Sequence, residues 1–208
     1  MSTNYEDLYF TRNTDGKYLR CDTTFIKESQ AGGRLFSTKP TVATELPNGV
    51  FGFMGSYVSE EIRELLIPTA DLIKNQVPVL IHNPEINYLQ ISKANDALGL
   101  YRNKSGKVLR SFPLSQYDVV TLSEDFFNMT GKTGTVTTVA VGDYFALQTN
   151  LVAGTQLLYS ATAPLVASNK VYFKVLKVAN AYIPSFMGGD GTLFPSNYKE
   201  VDLEVVFA

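Results

Sequence analysis

The side chains best suited to chemistry are few and scattered in this chain of 208 residues. It has one histidine, His82, and one cysteine, Cys21. A Ser-His-Asp or Cys-His site would have to use that histidine as its base. His82 follows the apolar run Val79-Leu80-Ile81, and neither a Gly-x-Ser-x-Gly elbow nor another nucleophile signature accompanies it. A lone histidine at a strand end is weak motif evidence, so it is read as a structural or surface residue. A single cysteine also rules out an intrachain disulfide and a Cys-based zinc site.

The remaining motifs fail for physical reasons. Thr130-Gly131-Lys132-Thr133 mimics the end of a phosphate-binding loop, but Phe126 stands where that loop needs its first glycine. A bulky side chain there blocks the turn that aims backbone N–H groups at phosphate, so the segment is read as a polar turn. Gly188-Gly189-Asp190-Gly191 has one carboxylate, too few for a calcium loop, and reads as a flexible turn. Glu60-Glu61 and Glu124-Asp125 are acidic pairs, and a glycosidase needs two carboxylates facing each other across a cleft. Sugar sites commonly add aromatic platforms, and tryptophan is absent. No catalytic, cofactor-binding or metal-binding residue is assigned, no cofactor is expected, and the chain is read as a binding or structural protein and not an enzyme.

Two groups of residues instead suit contact with a partner. Tyr101 to Arg110 carries Arg102, Lys104, Lys107 and Arg110 with no acid. The plain reading is a solvated hairpin turn; the sharper one is a patch facing an acidic protein surface. Four cations are too few to argue for specific nucleic-acid binding. The N-terminal stretch carries Tyr5, Tyr9, Phe10, Arg12, Tyr18 and Arg20, residue types favoured as anchors in protein interfaces. They either pack on this chain's own body or dock on a neighbour.

The elements that must position these groups are mostly strands. Residues 1–45 show neither a helical nor a long alternating period and read as an extended arm, with a short hairpin closed at Asn13 to Gly16. Strands are expected at Val50 to Met54, Val77 to Ile81, Val108 to Leu114 and Asp118 to Leu122. Residues 59–67 fit either a two-turn helix or a strand, with the strand preferred. Asn103-Lys104-Ser105-Gly106 is a turn signal. Thr133 to Val141 is an uninterrupted β-branched run and the clearest strand of the last third, turned by Gly142-Asp143. Further strands are expected at Tyr144 to Gln148, Leu151 to Tyr159, Val171 to Val178 and Val201 to Phe207. A faint echo links Phe112-x-Leu114…Asp118-Val119-Val120 to Val139-x-Val141-Gly142-Asp143-Tyr144-Phe145, with a one-residue drift. The fold class is therefore all-β with minor α, as β-barrel or sandwich-like lobes: an arm over 1–45, a first lobe over 46–128 and a second over 129–208, the two lobes able to form one continuous domain.

Composition narrows the setting. Apolar residues make up 45% and charged residues 18%, too apolar for disorder and low in charge for a surface exposed on every side. Either a large core or a partner-covered face accounts for this. Net charge is −2, which gives no argument for DNA binding. No signal peptide or membrane-length apolar run is seen, so a soluble protein made in a cytoplasm is expected.

An ordered series of segments carries one further pointer. Asn48-Gly49-Val50-Phe51-Gly52, Glu61-Ile62-Arg63-Glu64, Val79-Leu80-Ile81, Pro84-Glu85-Ile86-x-Tyr88, Asn103-Lys104-x-Gly106-Lys107-Val108-x-Arg110-x-Phe112-x-Leu114 and Asp118-Val119 follow one another over residues 48–122. This series resembles small capsid-associated proteins of tailed bacteriophages. In similar proteins a glycine commonly precedes the closing aspartate; here Tyr117 does. The resemblance implies a β-rich virion protein made in the bacterial host cytoplasm. It would bind the major capsid protein and neighbouring virion subunits as a decoration or cement subunit, with homo-oligomerisation left open. The rival expectations are another virion part, such as a tail, connector or fibre-base subunit, and a carbohydrate- or ligand-binding β-module.

Overall fold

The computed structural model describes residues 10–12, 19–22, 35–42, 44–83, 101–134, 138–164, 168–182 and 197–208. Its strands are, in chain order, β1 (Phe10–Arg12), β2 (Cys21–Asp22), β3 (Phe36–Pro40), β4 (Phe51–Tyr57), β5 (Ile62–Leu66), β6 (Val79–Ile81), β7 (Tyr101–Asn103), β8 (Leu109–Pro113), β9 (Val119–Ser123), β10 (Phe127–Asn128), β11 (Tyr144–Leu147), β12 (Leu157–Ser160), β13 (Val171–Tyr182) and β14 (Asn197–Phe207). Among the described residues one α-helix, α1 (Ala70–Asn75), and one 3-10 turn at Glu124–Phe126 accompany them. The all-β class holds. Residues 62–66 are a strand, the preferred of the two alternatives.

Among the described residues a barrel and a large sheet share one core, and β1 and β7 form a separate two-stranded sheet. Strands β3-β5-β4-β6-β8 close into a barrel, and β10-β12-β11-β13-β14-β9-β2 form a seven-stranded sheet. The change of sheet falls between Pro113 and Val119, so β9 and β10 belong with strands of the half expected over 129–208. Three described pieces of the expected arm pair with this chain's own strands: β1 with β7, β2 with β9, and β3 with β5 and β8. The hairpin expected at Asn13 to Gly16 lies outside the described residues.

Period-two patterning explains the central ladder. On β14, Val201, Leu203 and Val205 are fully buried, while Asp202 and Glu204 on the other face are half-buried. Its partner β13 points Val171, Phe173 and Val175 into the same core. The core is continuous across both sheets, with the rings of Phe51 on the barrel and Phe173 on the sheet 4.8 Å apart.

Two devices lock barrel to sheet. Gln156, only 2% exposed, accepts from Phe51 N–H at 2.9 Å and donates to Phe51 C=O and to Asn150 C=O. The β4–β5 register pairs Phe53 with Leu66, so its continuation sets Pro68 opposite Phe51. Proline has no N–H, and the ladder cannot extend there. The amide of Gln156 takes over as a one-residue strand mimic. The second device is Gly49, at φ +93°, where an added Cβ would come within 2.7 Å of Phe126 Cζ and 2.9 Å of Leu122 Cδ2. Any larger residue would wedge the barrel away from β9.

Two expected strands need correction. Leu151 to Tyr159 is a strand only from Leu157, after a turn at 153–155. Thr133 to Val141, the clearest strand by composition, contains no strand among its described residues, 133–134 and 138–141. Asp143 explains this. Its carboxylate accepts from Ala140 N–H at 2.8 Å and from the ammonium of Lys132, which also donates to Thr138 C=O at 2.9 Å. Side-chain bonds satisfy the backbone locally, and they override β-propensity, which depends on context. The helix α1 was not among the expected elements, and it follows Pro68: Thr69 caps it by accepting from Leu72 N–H, and Asp71 lies in the first turn.

Candidate protein-binding surfaces

The residues first tested for catalysis are built into the fold. The His82 N–H donates to Arg110 C=O at 3.1 Å, and its ring meets Phe112 edge-on. Cys21 is buried on β2 against Gly49. Thr130 N–H donates to Asn128 Oδ1 at 2.9 Å, making the polar turn expected for 130–133. Its lysine is not offered to a ligand: Lys132 is paired with Asp143, nearly buried, with its ammonium 5.3 Å from the Tyr159 ring centroid. Glu60 and Glu61 sit in the β4–β5 turn, and Glu124 and Asp125 begin the 3-10 turn. Among the described residues no group of three or more His, Cys, Asp or Glu could hold a metal ion. The loop at Gly188–Gly191 lies outside the described residues.

The four cations of the Tyr101–Arg110 stretch, read as a solvated turn or as a patch, divide. Arg102 is buried at 6% exposure on β7. Lys104 is half-buried, and Lys107 and Arg110 are exposed. The turn between them is the one expected, with Gly106 at φ +73° and Lys107 N–H donating to Lys104 C=O at 3.3 Å. Arg102 is thus no part of the exposed loop, and its strand neighbour Asn103 is also buried, held by side-chain bonds. Asn103 Nδ2 donates to Leu46 C=O at 2.8 Å and to Asn48 Oδ1 at 3.1 Å. Asn83 Nδ2 donates to Asn103 Oδ1 at 2.6 Å, and Asn83 Oδ1 accepts from Arg110 N–H at 2.7 Å. This asparagine cluster closes one end of the barrel. Sequence reasoning missed it, because its members are 20 to 55 residues apart.

Among the arm residues, Arg20 donates to Tyr198 Oη at 2.8 Å and lies 3.3 Å from Glu200 Oε1, so it is engaged on β14. Phe10 and Arg12 are placed on β1. Tyr5, Tyr9 and Tyr18 lie outside the described residues.

One surface residue stands apart from all of these. Tyr117 is the only described non-glycine residue with positive φ, at +71°, and its side chain is 69% exposed. It occupies a turn in which Asp118 Oδ2 accepts from Ser115 N–H at 2.7 Å and Asp118 N–H donates to Ser115 C=O at 3.1 Å. Tyr117 N–H donates to Val205 C=O, and Val205 N–H to Asp118 C=O, both at 2.8 Å. The turn before β11 repeats every one of these bonds. Asp143 Oδ2 accepts from Ala140 N–H, Asp143 N–H donates to Ala140 C=O, Gly142 N–H donates to Val175 C=O, and Val175 N–H to Asp143 C=O. Aligning Leu114 with Val139 removes the drift in the sequence echo and sets Tyr117 on Gly142, which has φ +89°. A left-handed backbone costs an L-residue about 1–2 kcal/mol relative to glycine. At this turn the chain holds a tyrosine in a glycine's conformation with its ring in solvent.

No protein-family model, curated protein or solved structure matches the chain.

Proposed function

We propose that this chain is a virion structural protein that binds the major capsid shell as a decoration or cement subunit and stabilises contacts between capsid subunits. The ordered series over residues 48–122 supports the placement among capsid-associated proteins. The observation that carries the binding half is Tyr117. The turn itself does not require this strained, mostly solvent-facing tyrosine, since Gly142 serves a turn with the same bonds without a side chain. Local strain persists where another requirement holds it in place. A rigid turn presenting an aromatic ring suits an interface anchor, because tyrosine offers large contact area at low entropic cost.

The test has two arms. Quantitative mass spectrometry of purified virions should find the chain in hundreds of copies per particle; a few copies would point to a tail, connector or fibre-base part. Purified protein added to shells lacking it should bind saturably and raise their disruption temperature. Tyr117→Gly should weaken that binding by about tenfold or more, the scale of a lost aromatic anchor. Undiminished binding by this variant would remove Tyr117 from the interface, and absence from virions would end the capsid reading altogether.

A further inference from the structure

The barrel carries chemically opposite surfaces at its two ends. Strand register fixes which end each occupies. β3 runs parallel to β5, with Ser37 opposite Ile62 and Pro40 opposite Leu65. It runs antiparallel to β8, with Phe36 opposite Ser111 and Thr38 opposite Leu109. The β4–β5 turn, just before Ile62, therefore lies at the Phe36 end of β3. The loop preceding β8, with Lys104, Lys107 and Val108, lies at the Pro40 end.

The first end is apolar and acidic. Tyr57 and Val58 are 66% and 54% exposed, Leu35 is exposed just before β3, and Glu60 and Glu61 are exposed in the turn. This tip is held stiffly. Val58 N–H donates to Ile62 C=O at 2.7 Å, and the register shifts by a bulge between Met54 and Tyr57. Arg63 Nε donates to Gly55 C=O at 2.9 Å while its guanidinium lies 5.2 Å from the Tyr57 ring centroid. The arginine is folded back along the strand, so the glutamates stand outermost. The other end presents Lys107, Arg110 and Val108, all exposed, with Lys104 half-exposed. The bridge of Leu46 to Asn103 brings Glu45 to this end as well, one carboxylate among three cations.

We infer that copies of this chain associate end to end, the Tyr57–Glu61 tip of one barrel docking on the Lys104–Arg110 loop of the next. The occupant is a second copy because one molecule carries both complementary faces: exposed Tyr57, Val58 and Leu35 with two glutamates at one end, and exposed Val108 with a net excess of cations at the other. Such a contact is heterologous: each copy keeps a free tip and a free loop, so it closes into a ring or grows as a filament. It is independent of capsid binding, which was assigned to Tyr117.

The test is sedimentation velocity of the full chain from about 1 μM to about 1 mM, the range of weak to moderate association. It is run at about 50 mM and about 500 mM salt, which shortens the screening length severalfold. The wild type should associate with rising concentration, and more weakly at high salt. Two charge reversals follow, Glu60→Lys with Glu61→Lys, and Lys104→Glu with Lys107→Glu. Each should lower the association constant about tenfold or more, because like charges then face each other. Mixing the two variants should restore association, since each tip then meets a loop of opposite sign. Circular dichroism confirms that the exposed substitutions leave the fold intact. A wild type that stays monomeric throughout, reversals without effect, or two dead variants that fail to rescue each other would each overturn the contact.

Discussion

Replacing Gln156 by leucine should destabilise the whole protein and not merely its second half. The side chain is fully enclosed, and its amide satisfies three backbone groups: Phe51 N–H, Phe51 C=O and Asn150 C=O. Leucine keeps most of the volume and removes every partner. A buried backbone group left unsatisfied costs about 1–3 kcal/mol. The two on Phe51 are closed off from water, and Pro68, next in register on the β5 side, offers no N–H to the carbonyl; Asn150 lies nearer the surface and can turn to water. The loss is therefore about 2–6 kcal/mol, with about 4 as the central value, a large share of the about 5–15 kcal/mol typical of a folded domain. In a chain of this size that corresponds to a drop of about 8–16 °C in Tm. Thermal and urea unfolding of wild type and Gln156→Leu would measure it. Since the core is continuous from barrel to sheet, both proteins should unfold in a single transition. Hydrogen exchange gives the local check: the Phe51 amide should lose protection in the variant well beyond the global change, while Phe173 follows the global change alone. A loss below about 1 kcal/mol, or a Phe51 amide as protected as its neighbours, would refute the claim that this amide substitutes for a missing strand.

Gly49→Ala should be among the most damaging single-methyl additions, at about 3 kcal/mol or more, combining a left-handed backbone with overpacking against Phe126 and Leu122; urea unfolding would show it as a fall in midpoint at unchanged slope. Gly142→Ala is the matched control, because open space surrounds its Cβ, and it should lose only about 1–2 kcal/mol in the same assay. Lys132→Met should cost about 2–4 kcal/mol, since it strands the Asp143 carboxylate in a nearly buried turn, and added salt should not reproduce the loss. Tyr117→Gly should leave stability within about 1 kcal/mol of wild type, relief of strain being offset by the greater freedom of glycine in the unfolded chain.

The parts of this fold legible in the sequence are those where the local pattern and the final environment agree. Val201 to Phe207 alternates because one face meets the core, and its strand is where the alternation sets it. Val79 to Ile81 is wholly apolar because it is buried on both sides of the barrel wall. Thr133 to Val141 misleads for the converse reason. Its β-branched side chains favour a strand, but the Asp143 carboxylate and the Lys132 ammonium satisfy the backbone first, and neither bond leaves a periodic trace. α1 is only six residues long, too short to show a helical period, and its start is marked by the Thr69 cap alone. The cationic loop was legible as a turn but not as a surface. Arg102 is buried while Lys107 and Arg110 are exposed, a division that the run of cations does not reveal. Distance along the chain concealed Gln156, whose partner is 105 residues away.

The repeated turn shows how a departure from a local rule can be separated into fold and function. Strands β9 and β11 flank the central β13–β14 pair, each antiparallel to its neighbour, and each is entered through a turn closed by an aspartate. Leu114 and Val139 enter the core before the turns, and Val120 and Phe145 after them. Everything the sheet requires of the turn is thus present twice: a short loop, a carboxylate accepting the N–H three residues back, and a left-handed residue that hands its own N–H to the central strand. The second copy meets the left-handed requirement with Gly142, the residue with least strain there. The first meets it with Tyr117, at φ +71° against +89°, its side chain mostly in solvent. Since the two turns carry the same structural duty, that duty cannot be the reason for the tyrosine. What distinguishes the positions is the surface each presents, and it is on that surface that a partner for this chain should be sought.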